Sequence, residues 1–135
     1  MGWSHGGSTL LWTIGDKGRT EPPPFRIAIA FYPGCRVPAE SRFWAPKLKP
    51  HVLMGDADDW TPVEPCRTLS TRGAIRLVEY PGAYHGFDAP NQPVRIRKGV
   101  AYSKNGDGIV HVGTDPAGRA AAITEVMRLL AEAMR

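Results

Sequence analysis

The residues with the clearest capacity for chemistry are Gly2-Trp3-Ser4-His5-Gly6-Gly7. They have the form G-x-S-x-G, which suits a sharp strand-to-helix turn that lifts a serine hydroxyl clear of the backbone. Such a turn strains the serine, and a side chain at either glycine is expected to collide with the strand or the helix. The helix that follows points its amino terminus at the serine, where partial positive charge favours a developing oxyanion. A serine hydroxyl is a poor nucleophile until a base takes its proton. An imidazole has a suitable pKa, but its tautomer and orientation must be fixed by a third group. Both partners occur further along, as the run Asp56-Ala57-Asp58-Asp59 and as His85 in Pro81-Gly82-Ala83-Tyr84-His85-Gly86-Phe87.

Three apolar runs can position these groups. Phe25 to Tyr32 is nearly continuous in apolar character, which suits a parallel strand covered on both faces. His51 to Gly55 is a second such strand. Ala74 to Tyr80 is a third, and its Arg76 and Glu79 give it the character of an edge. Between them lie helical signals. Ser8 to Ile14 continues from the turn, with Leu10, Leu11 and Ile14 on one face, Trp12 at its edge, and Gly15 and Gly18 to stop it. Glu21-Pro22-Pro23-Pro24 is a stiff connector. Arg36 to Pro50 is irregular, with Phe43 and Trp44 as packing anchors. Thr61 and Pro62 read as the N-cap and first position of a helix to about Thr71. Asp88 to Gly113 carries a weak pattern with a turn at Asn105-Gly106-Asp107-Gly108. Thr114-Asp115-Pro116 caps a last helix reaching Met134, with Ile123, Met127, Leu130 and Met134 on one face. Strands alternating with helices imply a parallel, doubly wound α/β sheet.

The serine, the carboxylate run and the histidine each fall at the carboxyl end of an expected parallel strand, where open α/β sheets place their sites. Their order is Ser, Asp, His, the α/β-hydrolase order. Ser4 would be the nucleophile, His85 the general base, and a carboxylate of the Asp56–Asp59 run the group that orients the imidazole.

Taken together, Gly-Trp-Ser-His-Gly-Gly at residues 2–7, Ala-Phe-Tyr-Pro-Gly-Cys at 30–35, Gly-Asp-Ala-Asp-Asp-Trp-Thr-Pro at 55–62 and Tyr-Pro-Gly-Ala-Tyr-His-Gly-Phe-Asp at 80–88 resemble the dienelactone hydrolase family of α/β-hydrolases. The resemblance runs through nearly all of this chain but only the C-terminal half of a family domain. It implies hydrolysis of small carboxylic esters or lactones, without a cofactor. The family's Gly-x-x-Asp-x-x-x-Pro spacing, here Gly55, Asp58 and Pro62, selects Asp58 over its neighbour Asp59. The namesake enzymes carry cysteine at the elbow, so Ser4 places the chain with the serine-bearing branch. The implied oxyanion donor is the backbone N–H of His5, and the family's second donor comes from strands that precede the elbow. The expected architecture is therefore an incomplete α/β-hydrolase: a three-stranded parallel sheet remnant with flanking helices, residues 1–135 forming the C-terminal part of one domain. Cys35, Trp60 and Tyr84 are candidate pocket residues. A second reading is a catalytically inactive remnant that self-associates through its uncovered sheet flank.

Composition narrows the partners. A chain of 135 residues with 42% hydrophobic and 22% charged residues suits one globular domain with one core. No run approaches the roughly 20 apolar residues of a membrane span. The densest basic cluster, Arg95, Arg97 and Lys98 with Lys104 nearby, reads as a solvated loop, because no stacking platform or recognition helix accompanies it; neither nucleic acid nor membrane is an expected partner. His5, His51, His85 and His111 lie far apart without metal-ligand spacing, so no metal is expected. Cys35 and Cys66 form no CxxC pair and are expected to be reduced, half-buried thiols. No charged-then-apolar leader is visible, which leans towards the cytoplasm.

Overall fold

A computed structural model describes residues 1–15, 21 and 24–135. The expected stop at Gly18 and the Pro22-Pro23 part of the connector lie outside the described residues. The architecture is mixed α/β. Strands β1 (Gly2–Trp3), β2 (Ile29–Phe31), β3 (His51–Gly55) and β4 (Arg76–Tyr80) form one sheet in the order β1-β2-β3-β4, every pair parallel. Among the described residues the sheet thus has four strands rather than three. Gly2 and Trp3 pair with Ala30 and Phe31, so the residues leading into the serine turn are themselves a short strand.

The parallel arrangement follows from the apolar runs. All of β2 is buried, and Val52, Leu53 and Met54 of β3 have no exposed surface. A strand with polar residues on alternate positions could not be covered on both faces in this way. Helices α1 (His5–Gly15), α3 (Glu64–Thr71) and α4 (Pro116–Ala133) contribute Leu11 and Ile14, Cys66 and Leu69, and Ala122 and Leu129 to the same core. Each of the buried leucine and isoleucine side chains contributes about 1.5–3 kcal/mol. As expected, β4 is an edge strand, with Arg76 and Glu79 exposed.

Several boundaries differ from the sequence reading. The ladder of β2 is only three residues long, pairing with β1 through Ala30 and Phe31 and with β3 through Ile29, Ala30 and Phe31. The irregular 36–50 stretch contains a one-turn helix, α2 (Arg36–Glu40). Within that stretch Trp44 packs on the core and its indole donates to the Leu11 carbonyl (2.9 Å), whereas Phe43 is exposed. The Trp44 ring also occupies the space a Cβ at Gly15 would need. Helix α3 starts at Glu64 after Val63 rather than at Pro62, which leaves the Thr61 hydroxyl free for another role.

On α4 the buried positions are Gly118, Ala122 and Leu129, while Ile123, Met127 and Met134 of the expected apolar face are exposed. The helix lies close to the core at Gly118, where a Cβ would stand 2.9 Å from Asp115 Oδ1, 3.3 Å from the Phe87 ring and 3.4 Å from Tyr80 Cβ. Asp115 caps the helix as expected, accepting from Gly118 N–H.

The weakly patterned segment is an antiparallel hairpin, β5 (Arg95–Lys98) with β6 (Ile109–Val112). Its tip contains the expected turn, where Gly106 and Gly108 adopt φ of 72° and 71°. The basic residues Arg95, Arg97 and Lys98 therefore sit on a strand rather than in a loop, all of them exposed.

Cys35 and Cys66 are joined in a disulfide, not reduced as expected. Cys35 precedes α2 and Cys66 lies in the first turns of α3; the two helices pack together and bring the Cα atoms to 5.2 Å, within bridging range.

Candidate functional site

Ser4 occupies the turn between β1 and α1 with φ of 49°, a left-handed conformation uncommon for a side-chain-bearing residue. Its N–H donates to Phe31 O (2.9 Å) and its carbonyl accepts from Ser8 N–H (2.9 Å), so sheet and helix together hold the turn. Of the glycines in the motif, Gly2 lies against the backbone of Gly6 and Gly7, leaving no room for a Cβ. Gly6, however, faces open space, contrary to the expectation that either motif glycine would clash. The second tight position is Gly7, where a Cβ would stand 3.1 Å from Phe31 O and 3.3 Å from Pro33 Cβ. His5 opens α1, and the first N–H groups of a helix have no intrahelical acceptor.

His85 follows β4 in a loop pinned from two sides. Ala83 beside it is fully buried against Gly55 and accepts from Ala57 N–H (3.2 Å). The His85 backbone bridges to Val112 of β6, and its carbonyl accepts from Gly113 N–H (3.1 Å). The imidazole reaches Ser4 Oγ through Nε2 (2.8 Å) and Asp58 Oδ2 through Nδ1 (2.8 Å). Residues separated by 81 and 27 positions thus form one continuous hydrogen-bonded chain.

Asp58 is only 2% exposed, and burying a carboxylate is costly unless its oxygens are satisfied. Its Oδ1 accepts from the backbone N–H groups of Trp60 (2.9 Å) and Thr61 (2.8 Å). Its Oδ2 faces His85 and the Thr61 hydroxyl (3.0 Å). Thr61 Oγ1 also stands 3.1 Å from Tyr32 O and 3.1 Å from His85 Nδ1, tying the acid loop to the end of β2. The other two carboxylates of the run point elsewhere. Asp56 Oδ1 accepts from Gly82 N–H (2.6 Å). Asp59 takes both His111 N–H (2.8 Å) and His111 Nδ1 (2.7 Å), which fastens the hairpin to the acid loop.

Aromatic rings surround the imidazole. Tyr32 lies 4.5 Å from it and Trp60 4.8 Å, centroid to centroid. The Arg97 guanidinium covers the Trp60 ring at 4.9 Å, a cation–π contact brought in by the hairpin. Tyr84 instead stacks on His111 at 4.8 Å. Cys35 is 2% exposed and bound in its disulfide, so it offers no thiol to a pocket. Burial, reinforced by the neighbouring Asp88 carboxylate, pushes the Tyr32 phenol well above its ordinary range.

Ser4, Asp58 and His85 are therefore brought together, with Trp60 beside them, while Asp59 and Tyr84 belong to the hairpin contact. The sequence reading missed Thr61 as a partner of the acid, Tyr32 against the imidazole, Asp88 on the Tyr32 hydroxyl and Arg97 over Trp60. Thr61 and Tyr32 had a legible position, directly after the acid and at a strand end, but nothing local marks the contacts they make. Among the described residues no group of three or more His, Cys, Asp or Glu side chains could hold a metal ion, and no helix is long and apolar enough to cross a membrane. Chemically, the chain of hydrogen bonds can draw a proton from a serine hydroxyl into an oriented imidazole. Comparison with protein-family models, curated proteins and solved structures finds no match to this chain.

Proposed function

We propose that this chain carries the catalytic machinery of a serine hydrolase acting on small carboxylic esters or lactones, as a dienelactone hydrolase-like part of an α/β-hydrolase domain. The observation that carries the reading is the Ser4–His85–Asp58 chain, with both links at 2.8 Å, at the carboxyl ends of parallel strands. Ser4 Oγ attacks the acyl carbon as His85 Nε2 takes its proton. Asp58 holds Nδ1–H and stabilises the imidazolium. The alkoxide of the tetrahedral intermediate points towards the start of α1, where the His5 N–H serves as one oxyanion donor. His85 then returns the proton to the leaving alkoxide, and water repeats the sequence on the acyl-serine. No cofactor enters these steps.

A serine-directed fluorophosphonate probe followed by peptide mapping tests the reading. Labelling at Ser4 that disappears in Ser4→Ala and falls sharply in His85→Ala is the expected result. Labelling that persists at full strength in Ser4→Ala overturns it. The second reading, an inactive chain that associates through its sheet flank, draws on Trp3 of edge strand β1, which is 44% exposed; it predicts no labelling of the folded chain.

A further inference from the structure

We infer that Asp88 is a positioning residue that locks the Ser4-bearing turn to the His85-bearing loop, an inference that rests on the hydrolase reading above. Asp88 lies three residues beyond His85 in the same loop, and the nucleophile and base reach each other across 81 residues of sequence. Something must hold those two segments in register, since the Ser4–His85 bond alone is a single contact between a hydroxyl and a ring.

The Asp88 carboxylate supplies the missing link. Its Oδ2 accepts from the Trp3 indole N–H (2.7 Å), and Trp3 is the residue directly before Ser4. Its Oδ1 accepts from the Tyr32 hydroxyl (2.7 Å), and the Tyr32 ring lies against the His85 imidazole. One carboxylate thus spans the serine turn, the end of β2 and the histidine loop. Both bonds are charge-assisted and short, the stronger class of hydrogen bond.

The surroundings stiffen each arm. Trp3 stacks on Phe31 at 5.4 Å, and Tyr32 packs edge-on against Phe87 at 5.8 Å. Arg119 of α4 donates through Nε to the Asp88 carbonyl (3.0 Å), which fixes the backbone that carries the carboxylate. With its phenol pushed above the ordinary range, Tyr32 remains a donor to Asp88 throughout neutral and mildly alkaline pH. Asp88 touches none of the reacting atoms, so its effect on turnover passes through the placement of Ser4 and His85.

Three substitutions separate positioning from bulk stability. Asp88→Ala removes both links. Asp88→Asn can keep them, because the amide oxygen accepts from Trp3 and the amide nitrogen donates to the Tyr32 hydroxyl oxygen, whose proton turns away. Tyr32→Phe removes one link and leaves the packing. Misplacing reacting groups by about 1 Å costs on the order of a hundredfold. Asp88→Ala should therefore slow fluorophosphonate labelling of Ser4 by about ten- to a hundredfold. With a p-nitrophenyl ester the loss should fall on kcat and leave KM nearly unchanged. Asp88→Asn should recover most of the rate, and Tyr32→Phe should lie between.

The Trp3 indole N–H resonance, read by NMR, reports the broken bond independently of activity: it should move in Asp88→Ala and stay near its position in Asp88→Asn. If Asp88→Ala does not fold, Tyr32→Phe and Trp3→Phe carry the test, each removing one donor. The inference is overturned if the indole resonance moves while Ser4 labels at the unsubstituted rate, or if both single-donor variants label at that rate. A folded, unsubstituted protein that never labels at Ser4 overturns the hydrolase reading, and this inference with it; labelling that is normal in every variant overturns this inference alone.

Discussion

Replacing Asp58 by Asn tests the site most sharply, because the structure dictates how the amide must sit. Asp58 Oδ1 accepts from two backbone N–H groups, those of Trp60 and Thr61. An amide nitrogen at that position would face two donors, so the oxygen of the asparagine has to stay there. The NH2 group then takes the place of Oδ2, 2.8 Å from His85 Nδ1. It can only donate, which makes Nδ1 an acceptor and moves the ring proton to Nε2. Nε2 then presents a proton to Ser4 Oγ, at the same 2.8 Å, instead of the lone pair that attack requires. A triad held in the wrong tautomer loses about ten-thousand-fold in kcat, equivalent to about 5.5 kcal/mol of transition-state stabilisation at 1.36 kcal/mol per decade. The assay is steady-state hydrolysis of a short p-nitrophenyl ester, with a thermal melt to confirm folding. Asp59→Asn is the matched control: its carboxylate serves His111 rather than His85, so turnover should stay close to that of the unsubstituted protein. Asp58→Asn within tenfold of the parent, or a collapse in Asp59→Asn alone, would refute the tautomer argument and the assignment of Asp58.

Three further outcomes follow from the same geometry. The Cys35–Cys66 bridge closes a separation of 31 residues, for which loop entropy gives about 3–4 kcal/mol; reduction or Cys66→Ser should lower the melting temperature, and a thiol titration of unfolded, unreduced protein should find no free thiol. Gly6→Ala, with open space at its Cβ in a helical position, should be tolerated or stabilise by up to about 1 kcal/mol, whereas Gly2→Ala should abolish both soluble folding and Ser4 labelling; equal melts for the two variants would contradict the elbow packing. Burial first, then the Arg76 charge opposite it in the β3–β4 register, lowers the pKa of His51 below 6.5, with Glu125 opposing. The unfolded chain then takes up that proton at higher pH than the native one, so stability contributed here is present above about 6.5 and is lost as the pH falls; melts between neutral and mildly acid pH should show the loss, and His51→Gln should flatten it.

What was legible in the sequence was whatever depends on neighbours a few residues away. The continuous apolar character of β2 and β3 announced buried parallel strands, and Asp115-Pro116 announced the start of α4. The order serine, carboxylate, histidine at three strand ends was likewise readable, because each group follows its own strand directly. The hairpin was not, since β5 is exposed along its whole length and its one apolar residue, Ile96, buries no face. Its place is set instead by Asp59 reaching His111 across 52 residues. The disulfide was hidden for a similar reason: two cysteines 31 residues apart say nothing until α2 and α3 pack side by side. The choice among three carboxylates within four residues shows where local reasoning ends. Only the Gly55–Asp58–Pro62 spacing of the resembled family sets Asp58 apart in the sequence; in the fold, Asp56, Asp58 and Asp59 are separated by a partner 26, 27 or 52 residues away. Side-chain direction decides among them: Asp58 alone turns inward, because the N–H groups of Trp60 and Thr61 fold back onto its Oδ1 and leave Oδ2 aimed at the imidazole.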